Sequence, residues 1–445
     1  MRDKLFALDE NNTPICVAII GCGRFGSMMV SQIMRAPGMS LSVICDIDIE
    51  KAKASLVLSS GGSVDFVTTT TLSKANHEIE NGRIVVTEDV DVAIQSNVDV
   101  IVEATGNPDV GSRNIFNSIM HGRHVVNVTV EADALVGPFL KKLADKVGVV
   151  YSLVYGDQPG NIEELYDWAL SNGFEVIAAG KGTRYIPEFR KGNYEQALSR
   201  YGIDNDESSA SELNPQMYNS FQDGTKSAIE MCAVSNMTGL IPDIPGMHQP
   251  SAGIDEMIQI LRPVEDGGLL KQRGVVEVVS CIRSDGSDVP NPMRWGVYVV
   301  ITTDSDYLLS CLRDYGVIMD DMGKYGLMYR PYHLVGMEAP ISIGKAVIYG
   351  ESTGAPIMSI GEVVAKAKRN LQVGDLLDGE GGNSVFGELV EKKHSVNNCF
   401  LPIGLTDKAR VIRSVGEDSS LTYDDVTLPE TFVGNLLRLH TDTSI

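Results

Sequence analysis

The charged residues best spaced for chemistry lie in the middle of the chain. Lys181 stands between glycines in Ala179-Gly180-Lys181-Gly182-Thr183-Arg184, directly after a β-rich run over 175–179. An ammonium projecting from a strand end suits a substrate contact; the alternative is a solvated surface lysine. Arg184, three residues on, can present a planar fork to phosphate or simply remain solvated. In Gln222-Asp223-Gly224-Thr225-Lys226, Asp223 and Lys226 stand at an expected helix start, and Glu230 follows four residues after Lys226. That spacing gives either a surface ion pair worth ~0.3–0.5 kcal/mol or an acid/base set. In the second reading Lys226 exchanges a proton or supports an oxyanion, while Asp223 and Glu230 tune it or hold a divalent ion. The neighbours Ala228, Ile229, Met231, Cys232, Ala233 and Val234 predict a buried helix, where an unpaired charge is costly. Arg330 and His333, in Tyr329-Arg330-Pro331-Tyr332-His333, add a second phosphate candidate and an acid/base candidate that titrates near neutrality. A capped element with a satisfied histidine is the alternative there.

A second constellation lies near the N-terminus. Val17-Ala18-Ile19-Ile20-Gly21-Cys22-Gly23-Arg24-Phe25-Gly26 sets G-x-G-x-x-G after an apolar β-run and before a helix-like stretch. Gly21 supplies the tight turn, Gly23 lets the backbone approach a pyrophosphate, and Gly26 allows close packing of strand and helix. Asp46, at the end of the next strand, is where an acid accepts from an adenosine ribose and favours NAD. Arg24, beside Phe25 in the loop, could face the 2′-phosphate of NADPH. The residues leave that choice open. After the strand ending at Glu103, Thr105, Gly106 and Asn107 form a turn of small residues where the nicotinamide half would pass, or they only shape the turn.

The elements that must position these residues read as α/β. Strands are expected over 15–20, 41–45, 98–103, 124–128 and 148–153, alternating with helix-like stretches as in a Rossmann doubly wound parallel sheet. Residues 1–155 are the expected dinucleotide-binding domain. An α+β substrate-binding, catalytic and dimerisation domain is expected over 156–340, with helices over 161–171, 227–234 and 252–259 and strands over 275–282 and 294–302. A polar stretch over 201–216 reads as a surface loop. A small β-rich domain completes the chain over 341–445. The 445 residues, 43% apolar and 22% charged, exclude a disordered chain. The net charge of −22 disfavours nucleic acid or an anionic membrane as partner, so a phosphorylated ligand needs a local basic cluster. Seven scattered Cys without CxxC spacing fit a reducing compartment, and no leader or membrane span is legible, so a cytoplasmic location is expected.

Taken together, these motifs carry a resemblance. The N-terminal half resembles the homoserine dehydrogenase type of Rossmann enzyme through its glycine loop and Val102-Glu103-Ala104-Thr105-Gly106. The whole chain resembles the 1-deoxy-D-xylulose 5-phosphate reductoisomerase-like (DRL) family through Gly156-Asp157-Gln158-Pro159-Gly160, Gly180-Lys181-Gly182 and Phe221-Gln222-Asp223-Gly224-Thr225-Lys226. Its last segment resembles a SAF domain through Val364-Ala365-Lys366, Leu401-Pro402-Ile403-Gly404 and Tyr423-Asp424-Asp425-Val426. The resemblance implies NADPH-dependent conversion of 1-deoxy-D-xylulose 5-phosphate to 2-C-methyl-D-erythritol 4-phosphate, in isoprenoid precursor synthesis, by a homodimer. Mg²⁺ or Mn²⁺ could be held by Asp223 or Glu230 together with substrate oxygens. A homoserine dehydrogenase-like oxidoreductase without skeletal rearrangement, and a dinucleotide-sensing protein without catalysis, are the alternatives. The SAF-like segment is expected to serve as a dimer or lid element.

Overall fold

The computed structural model describes residues 1–62, 64–201, 203 and 213–442. Most of the polar stretch expected as a surface loop over 201–216 lies outside the described residues. The chain groups into two compact units: 1–161 with 334–357 and 431–445, and 162–333 with 358–430.

The first unit is built on seven parallel strands: β1 (Ile15–Ile20), β2 (Met39–Cys45), β3 (Phe66–Thr68), β4 (Ile84–Thr87), β5 (Val100–Glu103), β6 (His124–Asn127) and β7 (Tyr151–Leu153). Their order in the sheet is β3-β4-β2-β1-β5-β6-β7, so the chain reverses its direction of winding between β1 and β5. Successive residues of β1 alternate between two cores. Ile15, Val17 and Ile19 pack with Met29, Val30 and Ile33, while Ala18 and Ile20 pack with Val92, Ala93 and Ile94. Burial on both faces explains the continuous apolar run of β1. The five expected strands are all present, with edges shifted by up to three residues. Sequence reading missed β3 and β4, which are short.

A polar network lies behind the end of β5. Asp133, fully buried on the helix Val130–Val147, accepts from the Tyr151 hydroxyl at 2.7 Å, and that hydroxyl accepts from Asn127 Nδ2 at 3.0 Å. Asn127 Oδ1 accepts from the Thr129 N–H at 2.9 Å, and Thr129 Oγ1 accepts from the Gly106 N–H at 3.0 Å. The network therefore fixes the backbone of the turn after β5. Gly137 is needed beside it, because a Cβ there would stand 2.4 Å from Asp133 Oδ1.

The second unit holds a six-stranded mixed sheet in the order β12-β13-β11-β8-β10-β9. Its strands are β8 (Glu175–Thr183), β9 (Ile241–Pro242), β10 (Val275–Ser280), β11 (Val297–Thr302), β12 (Ile318–Met319) and β13 (Gly326–Arg330). Tyr298, Val300, Val275 and Val279 meet Ile254, Met257 and Ile258 of the helix Ile254–Ile260 in one core. The helix Thr225–Thr238 is buried at nearly every position, as its apolar neighbours predict. An antiparallel hairpin of β14 (Gly361–Ala367) and β15 (Val385–Glu391) represents the SAF-like segment and belongs to this same unit. Among the described residues no helix is long and apolar enough to cross a membrane.

Burial pushes the Asp133 carboxyl up to about 7, against which the Tyr151 hydrogen bond pulls only partly. An acid raised in the folded state stabilises most below its unfolded value and loses that contribution as pH rises through about 7. A shift of about three pH units corresponds to about 4 kcal/mol. Asp133→Asn should therefore remove a decline of that order between pH 4 and pH 8, read by urea unfolding of both proteins across that range. An unchanged pH dependence would place the ionisation elsewhere.

Candidate functional site

The first site is the crevice where β1 and β5 diverge, at their carboxyl ends, the place where open parallel sheets receive ligands. Gly21 has φ +99, and a Cβ there would lie 2.6 Å from the Ala104 carbonyl oxygen, so the two loops touch through their backbones. A Cβ on Gly26 would lie 2.0 Å from the Gly21 carbonyl oxygen. Gly23 differs from both. It caps the helix Arg24–Ile33, and nothing stands within 4 Å of where its Cβ would be. Open space over a helix start with no side-chain cap fits the pyrophosphate role expected of Gly23.

The other residues expected at this crevice have definite tasks. Asp46 accepts from the Cys22 N–H at 2.6 Å and the Asp48 N–H at 2.9 Å, so its carboxylate braces the glycine loop. Arg24 is exposed in the first helical turn and Phe25 is half-buried behind it. Asn107 is the N-cap of the helix Pro108–Met120, its carboxamide oxygen accepting from the N–H groups of Asp109 and Val110. Thr105 donates both its hydroxyl and its N–H to Glu103. Glu103 is fully buried, and desolvation holds its carboxyl above the ordinary range. Sequence reading did not assign Glu103 a role, although it sits in the quoted run before Thr105.

The second site gathers the mid-chain charges within the other unit. Lys181 lies inside β8, which continues to Thr183, and not just beyond a strand end as expected. Its flanking glycines are there for close packing. A Cβ on Gly180 would stand 1.7 Å from the Glu277 carbonyl oxygen, and one on Gly182 1.3 Å from that of Met293. Lys181 is 6% exposed and its Nζ donates to Glu230. Glu230 was expected to act with Lys226; the sheet crosses under the helix so that it meets Lys181 as well as lying one turn from Lys226.

Asp223 is equally buried. Lys368, from the end of β14, donates to Asp223 Oδ2 at 2.7 Å and to the carbonyl of Gly382 at 2.6 Å. Its ammonium is also 3.3 Å from the Gly192 carbonyl. Asp223 Oδ1 accepts from the Thr225 N–H at 2.9 Å, which secures the first turn of the helix carrying Lys226 and Glu230. Lys226 itself is half-buried. Asp223 and Glu230, either of which was expected to hold a divalent ion together with substrate oxygens, each sit on a lysine ammonium, a pairing that does not suit Mg²⁺ or Mn²⁺. Among the described residues no group of three or more His, Cys, Asp or Glu side chains converges as a metal site.

Lys181 and Arg330 are brought into one row. Val297 of β11 faces Lys181 on one side and Arg330 of β13 on the other, and directly opposed residues of antiparallel strands project to the same face. The Arg330 guanidinium lies 4.8 Å from the centroid of the Tyr332 ring. Arg184 donates to Asp288 at 3.0 Å, a partner that is itself 72% exposed and easily exchanged. His333 Nδ1 lies 2.7 Å from the Trp295 carbonyl, which occupies one face of its acid/base chemistry. Lys368 was missed entirely. It ends an apolar β-run, but its partner lies 145 residues away, beyond the reach of any spacing rule.

The geometry defines a Rossmann-type α/β protein with a second, mixed-sheet unit that buries two lysine–carboxylate pairs. Residues 156–339 match the family model described as "Oxidoreductase DRL, catalytic domain". This segment is similar to the catalytic domain of DRL oxidoreductases. Among solved structures, the chain is similar to the WlbA dehydrogenase from Bordetella pertussis in complex with NADH and UDP-GlcNAcA. That match has 20% identity and a TM-score of 0.26 over 38% of this chain and 46% of that one. It is also similar to myo-inositol dehydrogenase from Lactobacillus casei, in complex with NAD(H) and myo-inositol, with 13% identity and a TM-score of 0.28 over 42% and 50%. The similarity thus spans about half the length of these solved chains. No curated protein matches the chain by sequence.

Two outcomes follow from these sites. Gly23→Val should weaken NAD(P)H binding by at least about tenfold in calorimetry while the fold stays intact, because the new side chain enters open space. Unchanged affinity would remove the glycine loop from the binding site. Lys181→Met should lower unfolding free energy by about 3–5 kcal/mol, since Glu230 is left charged and buried. Adding Glu230→Gln should restore part of that loss in the same urea titration.

Proposed function

We propose that the chain is an NADPH-dependent reductoisomerase that converts 1-deoxy-D-xylulose 5-phosphate to 2-C-methyl-D-erythritol 4-phosphate as a homodimer. The observation that carries the reading is that the DRL catalytic-domain match, over 156–339, contains Lys181, Asp223, Lys226 and Glu230. The nicotinamide dinucleotide would supply the hydride. Gly21, Gly23 and Gly26 would hold its pyrophosphate, with Thr105 and Gly106 at the nicotinamide end. NADPH is favoured over NADH because the Asp46 carboxylate is turned onto the Cys22 and Asp48 N–H groups, while Arg24 stands exposed beside it.

The residues of the second unit supply the remaining chemistry. The reaction requires a polarised ketone, removal of a proton from a neighbouring hydroxyl, rearrangement of the carbon skeleton and reduction of the resulting aldehyde. The Lys181 ammonium, already desolvated, is suited to stabilise a developing oxyanion, because its field is little screened by water. Lys226, half-buried in the first helical turn, is suited to proton transfer. Arg330, in the Lys181 row, and Arg184, whose partner Asp288 is exposed, are suited to a phosphate.

Incubating the protein with 1-deoxy-D-xylulose 5-phosphate and NADPH, with and without Mg²⁺, and identifying the product by NMR tests the reading. 2-C-methyl-D-erythritol 4-phosphate is expected. Its absence under all conditions would leave an oxidoreductase without the rearrangement. A higher kcat/KM with NADH than with NADPH would show that Asp46 governs cofactor choice.

A further inference from the structure

Over 104–106, the turn after β5 uses every backbone donor on the protein itself. The Ala104 N–H donates to the Ile20 carbonyl at 2.8 Å, the Thr105 N–H to Glu103 Oε1 at 3.2 Å and the Gly106 N–H to Thr129 Oγ1 at 3.0 Å. The Thr105 hydroxyl also donates to Glu103 Oε1, at 2.5 Å. The carbonyls are left over. Among the described residues, none donates to the carbonyl oxygens of Ala104, Thr105 or Gly106. That of Ala104 is covered by Gly21, where a Cβ would stand 2.6 Å from it. Those of Thr105 and Gly106 remain, on a half-buried and an exposed residue. Toward a ligand, this stretch of backbone is an acceptor edge.

Glu103 is what draws the Thr105 donors inward. Two of them close on one of its oxygens, and Asn114 Nδ2 lies 3.5 Å from the same atom. Glu103 and Thr129 stand side by side beneath Gly111, where a Cβ would be 3.1 Å from Glu103 Oε2 and 3.1 Å from Thr129 Cγ2. Thr129 is held in turn by Asn127, as described above, so the block behind the turn is fixed on both sides. Glu103 is fully buried, and among the described residues it has no lysine or arginine partner. Burying a carboxyl group there costs free energy that an apolar side chain would not. What the carboxyl group provides is the orientation of the turn, with donors inward and acceptors free.

We propose that Glu103 is a positioning residue for the nicotinamide half of the dinucleotide, holding the turn over 104–106 so that its backbone can only accept hydrogen bonds. The proposal rests on the dinucleotide reading given above and deepens it. The two loops of the crevice then differ in chemistry. At the glycine loop, the helix Arg24–Ile33 starts without a side-chain cap, so its free N–H groups suit a pyrophosphate, which can only accept. The turn suits the opposite kind of partner. Nicotinamide riboside carries donors, the carboxamide N–H₂ and the ribose hydroxyls. A phosphate oxygen placed there would face carbonyl dipoles of its own sign. This contrast sets which end of the dinucleotide lies at which loop, and Glu103 acts on one end alone.

Calorimetry on the full chain with two ligands tests this: NADPH, and ADP-ribose 2′-phosphate, which lacks only the nicotinamide. Glu103→Met frees both Thr105 donors and should weaken NADPH binding by at least about tenfold, while the fragment binds as it does to the wild type. Glu103→Gln, whose amide oxygen can accept from both donors, should hold NADPH to within about twofold of the wild type. Thr129→Val frees the Gly106 N–H with little change of shape and should show the same selective loss, which keeps the test open if Glu103→Met does not fold. Equal loss of both ligands, or no loss of NADPH in these two variants, would overturn the positioning role and leave the dinucleotide site standing. A Glu103→Gln protein as weak as Glu103→Met would overturn it as well. Wild-type protein that binds neither ligand would reject the dinucleotide reading and this proposal with it.

Discussion

The contact between Lys368 and Asp223 organises the second unit. Both side chains are essentially sealed from water, at 2% and 0% exposure, so neither charge can rely on solvent. Each must be neutralised by the other and by fixed dipoles. The ammonium contacts Asp223 and two backbone carbonyls, and Asp223 uses its second oxygen on the Thr225 N–H. Such a pair adds little net stability over an apolar replacement, because desolvating the ions offsets most of their attraction; what it imposes is geometry. Residues 192, 223, 368 and 382, from four separate stretches of chain, must be in register before either charge is tolerable.

That constraint passes along the helix to chemistry. With Thr225 secured, Lys226 stands in the first turn and Glu230 one turn further on, where it meets Lys181 in the middle of β8. Lys181 can occupy the sheet interior only because glycines on both sides let β10 and the chain at Met293 come close. The SAF-like segment is thus part of what positions these residues, through Lys368 and through the Gly387 N–H, which donates to Thr225 Oγ1 at 2.8 Å.

How much of this the chain announces in advance depends on the range of each interaction. The glycine loop was legible because Gly21, Gly23 and Gly26 act within one turn; Gly21 and Gly26 each have a local steric reason in the structure, and Gly23 leaves open space at the helix start. Five of the seven strands of the first sheet were legible from continuous apolar runs. The pairing of Lys181 with Glu230 spans 49 residues and that of Asp223 with Lys368 spans 145, so neither has a periodic signature. Reading Lys226 and Glu230 as a pair followed helix spacing correctly but could not know which strand would lie beneath. Asn107 shows the same limit in reverse: its position suggested a ligand contact, while a residue before Pro108 at a helix start has capping as its local task.

The most direct measurement of the organising role given to the Asp223–Lys368 pair is a double-mutant cycle by urea unfolding with Asp223→Asn, Lys368→Met and the combination. If the pair is the constraint, each single change leaves a buried polar or charged group unmatched. The double variant should then be less damaged than the sum of the singles by about 2 kcal/mol or more. Single effects that add to within about 0.5 kcal/mol would show that the two charges do not depend on each other, and would contradict the account.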